Sequence, residues 1–237
     1  MITPKDIERK TMNEEKKKEA QNSIFGYYVG RPLSYILTIP LLYTNISPNM
    51  VTCISIIFLM IGFMMLSVAS TTSIRLIGLL FIFLWNMGDG IDGNIARFKN
   101  IKSANGDLLD TLGGYLAIVL IILGMGNAAF NDTYSRLPMN YCILQLSGIS
   151  AVATLIPRVL MHRKIASKNA STVVIALKNK SSYGFSKKVM LNICDPAGFQ
   201  EIFMLIAIIF HGMTEFTLIY FVINISVMIY SIYKLLD

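Results

Sequence analysis

The sequence predicts an all-α integral membrane protein, with six transmembrane helices preceded by an N-terminal interfacial amphipathic helix. Hydrophobic residues make up 54% of the chain, and its mean hydropathy is +0.58. Charged residues make up only 15%, against roughly 25% in soluble domains. The length of 237 residues accommodates five to seven spans, because each span needs about 20 apolar residues. That leaves no room for a large soluble domain.

The N-terminal part of the chain predicts two helices outside the membrane core. Residues 3–22 are rich in Lys and Glu and predict an exposed helix, with Thr3 and Asp6 as a capping box and Pro4 in the first turn. Residues 24–46 are apolar but are interrupted by glycine and proline. We expect this segment to lie along the membrane surface, where its tyrosines match the headgroup level.

The six spans follow from apolar runs of sufficient length. The fifth is short and is interrupted by Glu201. We expect residues 1–46 to form a cytoplasmic N-terminal part and residues 47–237 to form the six-helix domain. The predicted spans cover residues 50–69, 75–98, 106–127, 141–161, 197–213 and 216–234.

The basic residues predict the orientation of these spans. Lys and Arg collect in the cytoplasmic segments of membrane proteins. With both termini inside, 19 of the 21 Lys and Arg residues are cytoplasmic, and only Arg75 and Arg136 lie outside. This distribution accounts for the net charge of +7 without nucleic-acid binding. We therefore expect a multi-pass protein with both termini in the cytoplasm.

Three carboxylates lie where the second predicted span ends and the third begins. Asp89 and Asp92 are three residues apart and share a helix face, and Asp110 comes from the next helix. An Asp at the centre of a span costs about 2.5–3.5 kcal/mol, so such residues usually mark a functional site. Carboxylates converging from two helices suit a hard cation, Mg²⁺ or Mn²⁺. With no His or Cys nearby in sequence, zinc is disfavoured.

The residues around these carboxylates suit a phosphate-bearing ligand. Gly93 leaves the backbone accessible, Ala96 leaves room one turn further on, and Arg97 can pair with a phosphate group. Arg158, at the end of the fourth span, is a candidate for a second phosphate or a lipid headgroup, although topological marking also explains it. The structural alternative is that the three carboxylates merely pair with the neighbouring basic residues, which are Arg97, Lys99 and Lys102.

The same segment resembles the CDP-alcohol phosphotransferase family, whose pattern is D-x-x-D-G-x-x-A-R-x8-G-x3-D-x3-D. Eight residues separate Arg97 from Gly106, as the pattern requires. The run 47–52, Ser-Pro-Asn-Met-Val-Thr, also resembles the usual start of the family's first span. The positions that match are Asp89, Asp92, Gly93, Ala96, Arg97, Gly106 and Asp110.

The resemblance implies an activity, a metal requirement and partners. Members of the family cleave the diphosphate of a CDP-linked alcohol, transfer the phosphoryl-alcohol group to an acceptor hydroxyl and release CMP. They use two Mg²⁺ or Mn²⁺ ions and are commonly homodimers in membranes. The resemblance assigns metal binding to Asp89, Asp92 and Asp110, and contact with the nucleotide to the motif's glycines and to Arg97. A compact six-span chain favours a CDP-diacylglycerol donor.

The sequence departs from the family pattern at Gly114, where a fourth Asp is expected. That Asp helps to hold the second metal and is thought to deprotonate the acceptor. Its loss is compatible with an active variant that uses another base or an acceptor that completes the metal shell itself, an inactive or binding-only relative, hydrolysis of the CDP substrate, or a slipped alignment. Gly113 and Gly114 equally suit close helix packing. Asp107, on the same helix face as Asp110, is a candidate for a compensating carboxylate, although it lies on the cytoplasmic side of Asp110.

Two other function classes compete with this interpretation. A catalytically silent protein would bind nucleotide and metal without releasing CMP. A transporter or channel would use intramembrane carboxylates for ion passage. The second class is disfavoured, because the carboxylates cluster at one predicted membrane surface instead of the middle of the spans.

Overall fold

The computed structural model describes residues 2–101, 103–132, 140–166, 185–194 and 196–236. All ordered elements in these residues are helices, and six helical stretches are long and apolar enough to cross a membrane, which confirms the predicted fold class. The helices are α1 (Pro4–Thr11), α2 (Glu14–Ala20), α3 (Arg31–Leu42), α4 (Pro48–Val68), α5 (Thr72–Phe98), α6 (Ala104–Phe130), α7 (Asn140–Ala166), α8 (Phe185–Cys194), α9 (Glu201–Ile209) and α10 (Met213–Leu236).

The N-terminal segment forms two helices where the sequence predicted one. Met12 is extended, and Asn13 starts α2 by accepting a hydrogen bond from the backbone N–H of Lys16. The predicted capping box of Thr3 and Asp6 at the start of α1 is confirmed. One face of α1 departs from the expected exposure, because it is buried where it packs against α3 and α5.

The segment predicted as an interfacial helix is helical. A π-helical turn, Gly26–Gly30, runs directly into α3. Its backbone stays helical through Gly30 and Arg31. The position of this segment along the membrane surface stays a prediction.

The transmembrane helices pack around one apolar core. Glycines allow α4 and α5 to cross closely, since a Cβ at Gly62 would lie 2.7 Å from the carbonyl oxygen of Gly78. Small residues commonly permit this kind of helix approach in membranes. Next to this pair, α6 packs on α4, α7 on α6 and α10 on α7. The core takes buried side chains from six helices, among them Leu59, Ile82, Ile121, Ile143, Met204 and Phe216.

The fifth span differs from its predicted bounds of 197–213. The apolar helical stretch covers Lys188–Ile209, and a π-helical turn, Pro196–Gln200, interrupts it between α8 and α9. Glu201 does not weaken this span, because its side chain is buried and its Oε1 accepts a hydrogen bond from Asn86 Nδ2 at 3.2 Å. A polar partner on another helix cannot be recognised from hydropathy along one segment.

One end of the helix bundle contains a buried ion pair. The side chain of Arg75 is 2% exposed and that of Asp132 is 1% exposed, with Arg75 Nη1 3.5 Å from Asp132 Oδ2. His211 Nδ1 lies 3.8 Å from the other carboxylate oxygen. Arg75 and Arg97 are separated by about 33 Å along α5, at a rise of 1.5 Å per residue. The predicted site therefore lies at the opposite end of the bundle.

Candidate active site

A cavity of about 870 Å³ opens at the end of the bundle where α5 ends and α6 begins. Side chains from α2, α3, α4, α5, α6 and α8 line this site cavity. It brings together most of the predicted site residues, namely Asp89, Asp92, Gly93, Ala96, Arg97, Gly106, Asp107 and Asp110. Arg158 is not among the lining residues and is exposed on α7.

Asp92 is the most deeply buried carboxylate of the site cavity. It is 7% exposed, and the hydroxyl of Thr52 on α4 donates a hydrogen bond to its Oδ2 at 2.5 Å. The helices meet closely here, because a Cβ at Gly88 would lie 2.5 Å from the Cβ of Ser55. This tight approach of α5 to α4 brings the Thr52 hydroxyl within reach of Asp92.

The remaining carboxylates are exposed to the cavity. Asp89 reaches it from α5, and Asp107 and Asp110 reach it from the first turns of α6. The Ser103 side chain caps α6, and a Cβ at Gly106 would lie 3.1 Å from Asn49 Oδ1 at the start of α4. The glycine thus lets the start of α6 approach the start of α4, so carboxylates from two helices line one cavity.

The guanidinium of Arg97 folds back over Gly93. A Cβ at Gly93 would lie 2.8 Å from Arg97 Nη2, so a larger residue would displace the arginine. The same Nη2 donates to Asn94 Oδ1 at 3.4 Å. Asn94 in turn donates to the hydroxyls of Ser34 and Thr38 on α3, at 3.2 and 3.3 Å. The orientation of Arg97 therefore depends on a polar network that joins α5 to α3.

The alternative explanation of the site is that its carboxylates only pair with the neighbouring basic residues. In the described part of the chain, neither Arg97 nor Lys99 forms an ion pair with Asp92 or Asp110, and Lys99 Nζ donates to the Thr44 carbonyl at 3.1 Å. Lys102 lies outside the described residues. Pairing with Arg97 or Lys99 therefore does not explain the buried Asp92 or the cavity-facing Asp110.

Gly114, where the family pattern has its fourth Asp, faces open space. Apart from its chain neighbours and the backbone of its own helix, no atom of the described residues lies within 4 Å of the position its Cβ would occupy, whereas a Cβ at the neighbouring Gly113 would touch Ile56 at 3.5 Å. Gly114 is not among the residues lining the site cavity. Close helix packing therefore does not require a glycine at Gly114.

Several cavity residues were missed by the sequence-based prediction of the site. Asn49 and Thr52 belong to the run that resembles the family's first span, so that run was a usable signal. Asn94 lies at a variable position of the family pattern, between Gly93 and Ala96. Ser34 and Arg31 on α3 had no signal, because their contribution depends on how α3 packs against α5.

The donor set of the site cavity fits a hard divalent cation in its chemistry. Among the described lining residues, Asp and Glu supply oxygen donors and no His or Cys is present, and Mg²⁺ and Mn²⁺ prefer carboxylate oxygens. Across the described residues, however, no three acidic, histidine or cysteine side chains lie close enough to form a complete metal site.

Comparison with known proteins agrees with the motif and the fold. Residues 45–230 match the CDP-alcohol phosphatidyltransferase family, which covers all six apolar spans except the last few residues. No curated protein matches the chain. Members of this family are typically membrane transferases of phospholipid synthesis and generally use a divalent metal. Because the match covers most of its length, the chain belongs to the CDP-alcohol phosphatidyltransferase family.

Proposed function

We propose that the protein transfers the phosphoryl-alcohol group of a CDP-linked alcohol to an acceptor hydroxyl and releases CMP. A CDP-diacylglycerol-type donor is proposed, in phospholipid or related lipid synthesis. The observation that carries this proposal is that the three motif carboxylates, Gly93 and Arg97 line a single cavity of about 870 Å³. Six apolar helices suit a protein that lies in membrane lipids, which are the source of a lipid donor.

Asp89, Asp92 and Asp110 would hold Mg²⁺ or Mn²⁺, the cation that the donor set fits. When bound, the metal would supply neutralisation of the diphosphate charge. The protein's own task is to orient these carboxylates. The Thr52 hydroxyl holds Asp92 in one orientation through the 2.5 Å hydrogen bond, and outer partners of this kind typically change metal affinity or activity 10–100-fold.

Arg97 and Gly93 would bind the nucleotide diphosphate. Arg97 is held towards the cavity by Asn94, and the absence of a side chain at Gly93 leaves space for its guanidinium. A planar guanidinium forms paired, charge-assisted hydrogen bonds with phosphate oxygens. Positioning and charge stabilisation contribute most of the acceleration in phosphoryl transfer.

With Gly114 in place of the fourth motif Asp, another group must accept the proton of the acceptor hydroxyl. We propose Asp107 as the compensating carboxylate, because it lines the site cavity beside Asp110 and is exposed to it. A positioned general base typically contributes 10²–10⁴-fold, so its loss weakens catalysis without abolishing it. The same departure supports a second candidate, a relative that binds CDP-alcohols silently or hydrolyses them.

The orientation and the assembly are proposals of the same kind. The distribution of 19 of 21 basic residues supports termini and a site that face the cytoplasm. Residues 1–46 are proposed as a cytoplasmic N-terminal part, whose residues also contribute to the cavity wall. Homodimer formation rests on the family resemblance, and light scattering on the detergent-solubilised protein would test it.

The decisive experiment measures CMP release by the purified full chain with Mn²⁺ or Mg²⁺. CDP-diacylglycerol and a CDP-choline-type donor are offered separately, each with and without a pool of alcohol acceptors. Asp110→Asn is the test variant, and Glu14→Gln is the control, since Glu14 is exposed on α2 and does not line the cavity.

Each outcome selects one function. CMP release that needs metal, acceptor and Asp110 supports the transferase, and the donor that responds identifies the substrate branch. Release without an acceptor supports hydrolysis. Metal-dependent CDP binding without any CMP release supports the silent relative and contradicts the proposal.

A further inference from the structure

A second, smaller cavity of about 340 Å³ lies between α1 and the end of α5. We call it the basic groove. Three of its lining residues, Ala96, Arg97 and Ile101, also line the site cavity, so the two cavities share a wall. The other lining residues are Arg9, Lys10, Thr11, Met12, Asn13, Lys16 and Asn100.

The basic groove concentrates positive charge, and the carboxylates that interact electrostatically with its cations, Asp6 with Arg9 and Asp89 and Asp92 with Arg97, do not line it. Arg9, Lys10, Lys16 and Arg97 line it, and no carboxylate does so among the described side chains. None of these four cations forms an ion pair with a described carboxylate. Four cations around so small a cavity repel one another, and a bound anion would relieve that repulsion.

The wall formed by α1 is held in place. Ile7 and Thr11 are on the buried face of α1, at 0% and 4% exposure. Lys10 Nζ lies 4.2 Å from the centre of the Phe98 ring, a cation–π contact that connects α1 to the end of α5. Arg31 Nη1 donates to Met12 Sδ at 3.1 Å. The groove is therefore preformed, which lowers the cost of ordering it around a ligand.

The carboxyl end of α5 repels an anion less than a helix end with unsatisfied carbonyls would. The Ile95 carbonyl accepts from Lys99 N–H at 2.9 Å, and the Ala96 carbonyl accepts from Ile101 N–H at 2.8 Å. Asn100 makes this turn possible by adopting a left-handed backbone, with φ of 54°. These hydrogen bonds satisfy carbonyls that otherwise give a helix terminus its negative character.

We propose that the basic groove binds a phosphate group, as a monoester or diester, next to the site cavity. Arginine and lysine side chains recognise phosphate by charge-assisted hydrogen bonds. The phosphate could belong to an anionic lipid headgroup or to a water-soluble phosphorylated alcohol. The inference rests on the charge and shape of the groove and is independent of the proposed transfer reaction.

The test compares two charge-matched double variants of the full chain in detergent. Arg9→Gln/Lys16→Gln removes two cations from the groove. Lys5→Gln/Lys18→Gln removes two exposed cations of α1 and α2 that do not line it. Arg97 is left intact because it also lines the site cavity.

Two probes distinguish the sources of the phosphate. Thermal unfolding is followed against inorganic phosphate and glycerol phosphate at constant ionic strength, since a ligand of the folded state raises the unfolding midpoint. Native mass spectrometry measures retention of phosphatidylglycerol against phosphatidylcholine of the same acyl chains. We expect the groove variant to weaken binding about tenfold, with each exposed contact worth about threefold, and the control to change it less than twofold.

The two arms give distinct outcomes. Selective loss of phosphate or glycerol phosphate binding supports a soluble ligand, and selective loss of phosphatidylglycerol supports a lipid headgroup. Equal weakening in both double variants overturns the proposal, because it would show a response to net charge alone. Absence of binding by the unmodified protein in both arms also overturns it. Unchanged unfolding midpoints without ligand verify that the variants fold.

Discussion

Replacing Thr52 with Val removes the hydroxyl that contacts Asp92 while keeping the shape of the side chain. The two side chains are buried, and the Oγ1–Oδ2 distance is 2.5 Å. A hydrogen bond to a charged group contributes about 1.5–3 kcal/mol. Metal and substrate affinity depends on the orientation of Asp92 in this proposal. The loss of the hydrogen bond should therefore weaken that affinity roughly 10- to 150-fold. Thr52 is therefore a positioning residue in this proposal.

The assay for Thr52→Val combines activity with a measurement that needs no turnover. The Mn²⁺ concentration for half-maximal CMP release is expected to rise roughly 10- to 150-fold. The Mn²⁺-dependent increase in unfolding midpoint, with CDP present, is expected to need a similarly higher Mn²⁺ concentration. Thr52→Ser retains the donor and is expected to behave like the unmodified protein.

The matched control for this substitution is Thr154→Val. The Thr154 hydroxyl donates only within α7, to the Ala151 carbonyl at 2.8 Å and the Ser150 carbonyl at 3.3 Å. The Mn²⁺ dependence should therefore stay unchanged in this variant. If Thr52→Val folds normally and retains the Mn²⁺ dependence of the unmodified protein, the positioning role of Thr52 is refuted.

Three further predictions concern packing, ion pairing and pH. In thermal unfolding, Gly88→Ala should lower the free energy of unfolding by about 1–3 kcal/mol, since its Cβ would lie 2.5 Å from the Cβ of Ser55 on α4. The control Gly114→Ala, whose Cβ faces open space, should not lower it. Arg75→Met should cost about 3–5 kcal/mol by leaving the buried Asp132 carboxylate without its guanidinium, and denaturant unfolding that matches the unmodified protein would contradict this. Hydrogen bonds from the capping threonine, Thr3, lower the pKa of Asp6 below its ordinary value of 3.8. The ionised Asp6 therefore stabilises α1 above pH 3.8, and this stabilisation is lost as the pH falls through the lowered pKa. Amide NMR shifts of α1 should report the loss, and in Asp6→Asn these shifts should no longer depend on pH in this range.

The site was predictable where its parts are close in sequence. Asp89 and Asp92 share a face because a helix repeats every 3.6 residues, and Asp110 follows after one short turn. The same local reasoning located the capping box of α1. The split of the N-terminal helix was missed, because a single Asn cap is a weak signal within a long run of helix-forming residues.

The sequence by itself determined the class of the fold, the six spans, the family and the segment that carries the carboxylates. These features depend on apolar length and on spacing within one helix or across one turn. Only the tertiary structure decided which side chains surround them. The Thr52–Asp92 hydrogen bond joins residues 40 positions apart, and the Asn94–Ser34 hydrogen bond joins residues 60 positions apart. Such contacts depend on how closely glycine lets α5 approach its neighbours, and hydropathy and periodicity along a single helix contain no information about that distance.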